Sequence, residues 1–467
     1  MKCFNLKNVK LTIFTIAVLH IFAGCKKNNT TEPIIVDPEC KIVNPVNESE
    51  FRKGDTIEVS VDISNEDMEV SYVKFLIDDE IRLWDNESPY SYSWDTSDES
   101  YGPHNVNVIA SFDDDKILED EIEIILKYSY RQPDITGDGW ETATLSEENV
   151  DSTSIFGFIN NVYDEYSYLQ SLIIVRNGKL VLEEYFRGTS RNTIQTIQSS
   201  TKSFTSALIG IAIDKGLISS VDEPVYNFFP DYAHLFDDNK KKILLRHVLS
   251  MTAGLEWNEW ETNSRIMEND NWYGNICDSY LEYVLSKPVV LTPGTTWYYN
   301  GGCSVILGAI IERVSGMQVE DFSAEFLFDK LGTTSYYWWV LRDGLAGTHG
   351  GLHLRSRDMA KFGQLFLNGG TWNGERIISE DWVSESTAQH IYAYSNHWYG
   401  YQWWMRRMNG YNVFFAAGAG GQNIFVVPEV DLVIVTTFNY GSYEETVNQN
   451  QLAEKLAEVY VIPAVGN

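Results

Sequence analysis

The chain has 467 residues, enough for two or three domains with sizeable cores. Apolar residues make up 44% and charged residues 22%, a composition typical of globular proteins, so wholesale disorder is excluded. With 35 basic and 66 acidic residues the net charge is −31, which argues against nucleic acid or anionic lipid as an electrostatic partner.

The first 24 residues have the pattern of an export signal. A lysine-containing start precedes the apolar run LTIFTIAVLHIFAG, which is too short for a stable transmembrane helix. Small residues then precede Cys25 and resemble a bacterial lipobox, in which the cysteine becomes the lipidated first residue. We therefore expect a lipoprotein signal peptide over 1–24, a polar linker over 25–36, and a protein anchored by lipid at the bacterial cell envelope. An ordinary secretory signal cleaved nearby is the alternative.

Residues 37–128 are predicted to form an all-β sandwich. Runs such as TIEVSVDI and YVKFLID alternate apolar and polar residues, and turn signals separate them at regular spacing. The pieces "NPVNESEFRKGDTIEVSVD", "VKFLIDDE" and "GPHNVNVIASFDDD" resemble the bacterial Ig-like modules attached to exported enzymes. Asp113, Asp114 and Asp115 form either a solvated turn or a calcium site. The module is expected to be a spacer, with a glycan-binding adhesin as the alternative.

Residues 129–467 are predicted to form one α/β (α+β) domain. Strand-like runs (LQSLIIVRNGKLVLEEYF) come first, long helical runs follow, and strands return in NIFVVPEVDLVIVTTFN. Strands at both ends with helices between them favour one antiparallel sheet flanked by helices.

The pattern Ser-x-x-Lys occurs twice, and only one occurrence can bring the two side chains together. Ser71 and Lys74 lie in an alternating strand pattern, where residues three apart point to opposite faces. Ser199 and Lys202 open the helix-period run QSSTKSFTSALIGIAIDKG, in which residues three apart share a face. The lysine nitrogen can therefore reach the serine oxygen in the second pair.

Ser199 and Lys202 have the chemistry of an activated nucleophile. A helix N-terminus presents unpaired N–H groups and partial positive charge, so the amide of Ser199 can point at an oxyanion. Burial and positive potential should lower the pKa of Lys202, which could then act as a general base or proton relay. The structural alternative is that Ser199 is an N-cap and Lys202 a surface lysine.

Two further stretches could complete such a site. In LTPGTTWYYNGG the residues Tyr298 and Asn300 lie on a loop before a helix. The Tyr298 phenol could share a proton with Lys202 or protonate a leaving group, and Asn300 could hold the lysine or a substrate carbonyl. In AAGAGGQ, small residues let a strand approach a ligand closely, and a backbone N–H could complete an oxyanion hole. The alternatives are an ordinary aromatic loop and a plain glycine-rich turn.

Ordered blocks over residues 137–445 resemble the serine β-lactamase and penicillin-binding-protein superfamily, whose mark is Ser-x-x-Lys. They include "SLIIVRNGKLVLEEYFRG", "QSSTKSFTSALIGIAIDKG", "LTPGTTWYYNGGCSVILGAIIE" and "AAGAGGQNIFVVPEVDLVIV". They look most like the class C β-lactamase-like branch, with its family VIII esterases and 6-aminohexanoate-dimer hydrolases. The resemblance implies an antiparallel sheet with an all-helical subdomain and a site between them.

The resemblance also implies a role for each matched residue. Ser199 would be the acylated nucleophile and Lys202 the base or relay. Tyr298 and Asn300 would be the first and third residues of the family's Tyr-x-Asn. The oxyanion amides would belong to Ser199 and Ala419, with Gly418 beside them.

One departure bears on the substrate. Many members carry Lys-Thr-Gly or His-Thr-Gly on the strand beside the nucleophile, whereas this chain has Ala416-Ala417-Gly418. The cation and hydroxyl that grip a β-lactam or peptide carboxylate are missing, which puts β-lactamase and carboxypeptidase activity in doubt. We expect an exported serine hydrolase acting on an ester or amide, a small molecule or a peptide. The alternative is a weakly active or inactive relative that binds cell-wall peptides or glycans.

Metal and cofactor chemistry is not indicated. The chain has no CxxC or Cys/His spacing suited to zinc, so neither a metal nor a cofactor is expected. Cys277 and Cys303 are either a disulfide pair or small buried side chains.

Overall fold

The computed structural model describes residues 39–64, 69–97, 99–113, 116–162, 166–259, 269–439 and 443–465. The predicted signal peptide, Cys25 and the linker lie outside these ranges, as do Asp114 and Asp115 of the predicted calcium turn.

The N-terminal part is a β-sandwich, as predicted. Its two sheets have the strand orders β1-β3-β6 and β2-β8-β7-β4-β5, and all neighbours are antiparallel except the parallel pair β2–β8. The strands are β1 Glu39–Asn44, β2 Ser49–Arg52, β3 Thr56–Ser64, β4 Val70–Ile77, β5 Glu80–Asp85, β6 Ser91–Asp95, β7 Gly102–Phe112 and β8 Ile117–Lys127.

Alternation along these strands builds the sandwich core. Val73, Phe75 and Ile77 on β4 are fully buried, and the residues between them face outward. Ser71 bonds Asp113 while Lys74 lies over the ring of Trp84, so this Ser-x-x-Lys pair does not cooperate.

The C-terminal part is built on one long sheet with the order β17-β18-β19-β20-β21-β22-β10-β11-β9, in which only the short β9 runs parallel to its neighbour. The strands of this part are β9 Glu141–Thr142, β10 Leu169–Arg176, β11 Lys179–Tyr185, β12 Gln195–Thr196, β13 Tyr336–Trp338, β14 Leu352–Leu354, β15 Thr371–Trp372, β16 Glu375–Arg376, β17 Ile391–Tyr394, β18 His397–Tyr399, β19 Trp404–Met408, β20 Tyr411–Gly418, β21 Gln422–Val427 and β22 Leu432–Phe438.

Helices cover both faces of this sheet. They are α1 Ser152–Asn160, α2 Thr201–Asp214, α3 Leu245–Leu249, α4 Asp270–Ile276, α5 Tyr280–Ser286, α6 Gly301–Ser315, α7 Val319–Ser323, α8 Ser356–Leu367, α9 Glu380–Ser386, α10 Tyr443–Lys455 and α11 Ile462–Val465. Short 3₁₀ and π turns connect several of them.

The sheet is buried on both sides, which explains the continuous apolar run in β10. Leu172 and Ile174 belong to one hydrophobic cluster, whereas Ile173 and Val175 belong to the other. In the second cluster α2 packs on α8 through a stacked pair of rings, Phe204 and Phe362, with centroids 3.7 Å apart. Helix α2 therefore lies in the centre of the domain, with its N-terminus beside β20 and β21, two central strands of the sheet.

The two parts meet at an aromatic junction. The ring of Tyr128 packs on Tyr101 of the sandwich and on Phe156 of α1, with centroids 5.8 and 5.1 Å away. Its hydroxyl donates to the carboxylate of Glu184. Burial raises the pKa of this carboxylate to about 7.

Within the described residues, no single helix has the length and apolar composition to cross a membrane; by length and composition alone, the bent pair Gly301–Ser315 and Val319–Phe328 meets that requirement.

Candidate active site

Ser199 lies in a short 3₁₀ turn, Gln198–Ser200, that leads directly into α2. Gln198, which precedes it, has φ +49°, a left-handed conformation that costs energy for a residue with a side chain and recurs at functional sites. This bend presents Ser199, half-buried, at the N-terminus of a helix that is otherwise almost wholly buried.

Three buried hydroxyls of QSSTKSFTS each have a backbone partner on another element. Ser200 Oγ donates to the carbonyl of Gln422 at 2.5 Å, and Ser203 Oγ to that of Gln402 at 2.7 Å. Thr205 Oγ1 donates to a carbonyl of the segment that precedes β14 at 2.9 Å. These bonds satisfy the hydroxyls and fix the first turns of α2 between the sheet and the loop before β14.

Lys202 is the centre of the site. Its Nζ lies 3.0 Å from Ser199 Oγ and also donates to the carbonyl of His349. The lysine is 2% exposed, and burial lowers its pKa from 10.5 to about 8, with the charge of Glu259 opposing part of that fall. With this pKa, roughly a tenth of Lys202 is neutral at pH 7 and about half at pH 8, and the neutral form is the one that a general base requires.

The structure corrects the prediction for the tyrosine. Tyr298 is 46% exposed, whereas Tyr299 is 7% exposed and its ring centroid lies 5.0 Å from Lys202 Nζ. A hydrogen bond with Ser199 lowers the pKa of Tyr299, although burial keeps it well above the usual range. Consecutive residues in extended backbone point in opposite directions, so the two tyrosines cannot both face the pair.

Asn300 caps α6 rather than holding the lysine or a substrate carbonyl as predicted. It has extended backbone, and its Oδ1 accepts from the N–H of Cys303 at 3.2 Å. The sequence signal for this cap was present: an asparagine stands directly before a long apolar run. Placing the N-cap at Asn300 makes Tyr299 the residue before the cap, the position that commonly packs inward.

Gly418 is the last residue of β20 and Ala419 follows it, beside the turn that carries Ser199. A Cβ built on Gly418 would lie 2.2 Å from the carbonyl oxygen of Ile197 and 3.1 Å from Gln198 Cβ. Only glycine fits there, because a side chain would push the strand end away from the turn that carries Ser199. Ala419 follows in a tight turn that returns to Gln422 on β21. The predicted oxyanion strand and Ser199 are thus brought together.

Residues that the sequence did not indicate surround the pair. The carboxylate of Glu259 is buried near enough to Lys202 to raise its pKa, and it accepts from the N–H of Gly301 at 2.9 Å. His349 is also buried, and desolvation with the charge of Lys202 lowers its pKa to about 3, so its imidazole is neutral. No local spacing signals these residues, since they reach the site from separate loops.

Aromatic side chains form a wall on one side of the site. The ring of Trp404 is stacked on Tyr299 with centroids 6.1 Å apart, and Trp297 packs on both, with centroids 6.1 Å from Tyr299 and 5.5 Å from Trp404. Tyr394 lies 5.7 Å from Trp297 and from Trp404 and is half exposed. We call Trp297, Tyr299, Tyr394 and Trp404 the aromatic wall.

Among the described residues, no group of three or more His, Cys, Asp or Glu is placed to hold a metal ion. The thiols of Cys40, Cys277 and Cys303 are free, so the two cysteines considered for a disulfide are unpaired.

The chain belongs to the Beta-lactamase family, whose model matches residues 170–458. A model described as Bacterial Ig domain matches residues 38–108, which confirms the predicted N-terminal module. The chain is therefore a member of a hydrolase family with the serine β-lactamase fold, preceded by an Ig domain.

One related protein and two solved structures show which members of the family the chain is similar to. The 6-aminohexanoate-dimer hydrolase of Paenarthrobacter ureafaciens is 28% identical over 283 residues, which are 56% of this chain and 70% of that protein. A Bacillus anthracis structure provisionally assigned as a 6-aminohexanoate-dimer hydrolase is 20% identical with a TM-score of 0.56, covering 70% of this chain and 91% of that one. A family VIII carboxylesterase structure is 17% identical with a TM-score of 0.51, covering 67% and 98%. The two structures show a shared fold.

Proposed function

We propose that this protein is a serine hydrolase that forms an acyl-enzyme at Ser199 and hydrolyses an ester or amide. The observation that carries the proposal is the 3.0 Å contact between Ser199 Oγ and Lys202 Nζ, made by a lysine whose pKa is lowered to about 8. Nucleophile and base are within hydrogen-bond reach at the N-terminus of α2, where positive potential favours an oxyanion.

In the acylation step, Ser199 Oγ attacks the substrate carbonyl carbon and its proton passes to neutral Lys202. The carbonyl oxygen becomes an oxyanion, which the amides of Ser199 and Ala419 would stabilise. The tetrahedral intermediate then collapses: the bond to the leaving group breaks, and Lys202, through Tyr299, returns the proton to the departing oxygen or nitrogen. Tyr299 suits this relay because it bonds Ser199 and keeps its proton.

Water completes the cycle. It attacks the acyl carbon of Ser199, one proton passes to Lys202, and the second intermediate collapses to release the acid and restore the serine hydroxyl. The aromatic wall shields this side of the site, which strengthens the electrostatic interactions inside it.

The substrate is proposed to lack a carboxylate beside the scissile bond. Ala416 is buried and Ala417 half-buried at the end of β20, where they provide neither a cation nor a hydroxyl. The relatives' names, a 6-aminohexanoate-dimer hydrolase and a carboxylesterase, point to an amide or an ester. The half-exposed Tyr394 and the rest of the aromatic wall suit an apolar acyl or leaving group.

The test is hydrolysis of p-nitrophenyl esters and anilides by the wild type and Ser199→Ala, with Ser71→Ala as the matched control. We expect Ser199→Ala to lose about a thousandfold or more of kcat/KM, and Ser71→Ala to remain within about twofold of the wild type. A neutral acyl ester should be preferred to its succinyl counterpart, which carries a carboxylate. No turnover by the wild type would favour the peptide- or glycan-binding alternative.

We also propose export and lipid anchoring at Cys25, on the basis of the basic start, the apolar run and the small residues before this cysteine. Metabolic labelling with a fatty-acid analogue should mark the full chain and not its Cys25→Ala variant. Equal labelling of both, or of neither, would contradict it.

A further inference from the structure

Glu259 is a buried carboxylate in a place where a charge is costly. It is 7% exposed, and burial raises its pKa above the usual range. Two donors are aimed at one oxygen of this carboxylate: Trp257 Nε1 at 2.5 Å and the N–H of Gly301 at 2.9 Å. Gly301 is the first residue of α6, so the carboxylate also lies at the positive end of a helix dipole.

These contacts connect Glu259 to both proton carriers of the site. Gly301 follows Tyr299 by two residues, so the bond to its N–H fixes the segment that holds the Tyr299 hydroxyl near Ser199. The charge of Glu259 also stabilises the protonated form of Lys202, since it raises the pKa that burial lowers. The carboxylate therefore acts on the base through space and on the tyrosine through the backbone.

The other ionisable groups that interact with Glu259 come from several elements. They are Lys202 of α2, Asp270 of α4, Tyr280 of α5, Tyr299 before α6, Cys303 of α6 and Tyr399 of β18. Among these, only Lys202 carries a positive charge when protonated. Glu259 and Lys202 therefore titrate as a coupled pair.

Resting on the proposed function, we infer that Glu259 is a positioning residue that supplies the buried counter-charge to the Lys202 ammonium formed during acylation and holds the Tyr299 segment in place. The carboxylate does not touch the substrate. Its role is to let Lys202 keep the proton it takes from Ser199 until the leaving group receives it.

The two donors to Glu259 are arranged so that one substitution can remove the charge of the side chain without removing its hydrogen bonds. Because Trp257 and Gly301 donate to the same oxygen, the carbonyl oxygen of a glutamine can accept both bonds. Glu259→Gln thus removes the charge and keeps the geometry. The matched control is Glu312→Gln, near the other end of α6, where a half-buried carboxylate interacts with Glu320 and Asp343.

The readout is the second-order rate of Ser199 phosphonylation by a fluorophosphonate, measured from about pH 5.5 to about pH 9.5. In the wild type we expect the rate to rise with pH, with its midpoint near the Lys202 pKa of about 8, to a plateau above about pH 9. We call this rise the limb of the pH profile. In Glu259→Gln the limb should move to lower pH by about half a unit or more, so that the rate at pH 6, relative to its own plateau, increases about threefold or more. The plateau itself should fall, because the ammonium is no longer compensated.

Glu312→Gln should keep the wild-type limb. A stable Glu259→Gln protein whose limb coincides with that of the wild type would overturn the inference and leave the proposed function standing. If Glu259→Gln does not fold, Gly301→Pro replaces it, because proline is favoured at the first helical position and removes one donor to the carboxylate. The ionised carboxylate then attracts the Lys202 ammonium more strongly, so the limb should move to higher pH, and an unchanged limb would overturn the inference. A wild type that forms no adduct at any pH would overturn the proposed function, and this inference with it.

Discussion

Replacing Lys202 by methionine should abolish activity and make the protein more stable at neutral pH. Lys202 is buried with a pKa of about 8, whereas an unfolded lysine has a pKa near 10.4. Below pH 8 the lysine is protonated in both states, so the folded protein bears the full cost of an unfavourable buried charge. A methionine side chain has a similar length and no charge to bury.

The magnitude follows from the two pKa values. Their difference corresponds to about 3 kcal/mol of lost stability at pH 7, falling to about 1 kcal/mol at pH 9.5 as the unfolded lysine also loses its proton. The substitution leaves the His349 carbonyl without its Lys202 donor, at a cost of about 1–2 kcal/mol. The net expectation is a gain of about 1–2 kcal/mol at pH 7 that shrinks to zero or reverses at pH 9.5.

The assay is denaturant unfolding of the wild type and Lys202→Met at both pH values, followed by a fluorescence signal of the catalytic domain. Lys330→Met is the control, because Lys330 forms an exposed ion pair with Glu375 and its loss should change stability by about 1 kcal/mol or less at either pH. A Lys202→Met protein that is less stable than the wild type at pH 7, by the same margin as at pH 9.5, would refute the reasoning.

Three further predictions separate the residues of the site. Tyr299→Phe should lower kcat by about a hundredfold or more, whereas Tyr298→Phe should stay within a few-fold in the same ester assay. Gly418→Ala should abolish fluorophosphonate labelling while secondary structure by circular dichroism is retained, since its Cβ would meet the Ile197 carbonyl at 2.2 Å. Asn300→Ala should cost about 1 kcal/mol in denaturant unfolding through loss of the helix cap, and Asn300→Asp should restore most of it.

Each of these three predictions would be contradicted by a specific result. A larger loss in Tyr298→Phe than in Tyr299→Phe would reinstate the Tyr-x-Asn assignment made from the sequence. Normal labelling of Gly418→Ala would show that the close approach of β20 to the turn that carries Ser199 is not needed for the reactivity of the serine. Unchanged stability of Asn300→Ala, combined with lost activity, would support the prediction from the sequence that Asn300 binds a substrate carbonyl.

Patterns within one element were readable from the sequence. The alternation in β4 indicated the buried face of the sandwich, and the three-residue spacing on a helix predicted the contact between Ser199 and Lys202. Both follow from the periodicity of a single strand or helix. The order of the family-like blocks supplied the fold of the C-terminal domain, which periodicity alone could not.

Contacts between elements were not readable. Choosing Tyr299 over Tyr298 required knowing which of two adjacent side chains faces inward, and this depends on the cap at Asn300 and on the packing of Trp404 against the ring. Glu259 reaches the lysine from a separate loop, so no spacing connects the two. The pKa of Lys202 likewise depends on burial by elements distant in the sequence.

The most direct test of the central claim, that Ser199 is an activated nucleophile, is the intact-protein mass after treatment with a fluorophosphonate. The purified protein should gain the mass of one adduct, located on the peptide that contains Ser199, and the Ser199→Ala variant should gain none. An unmodified wild type, or an adduct that persists in the variant, would contradict the account.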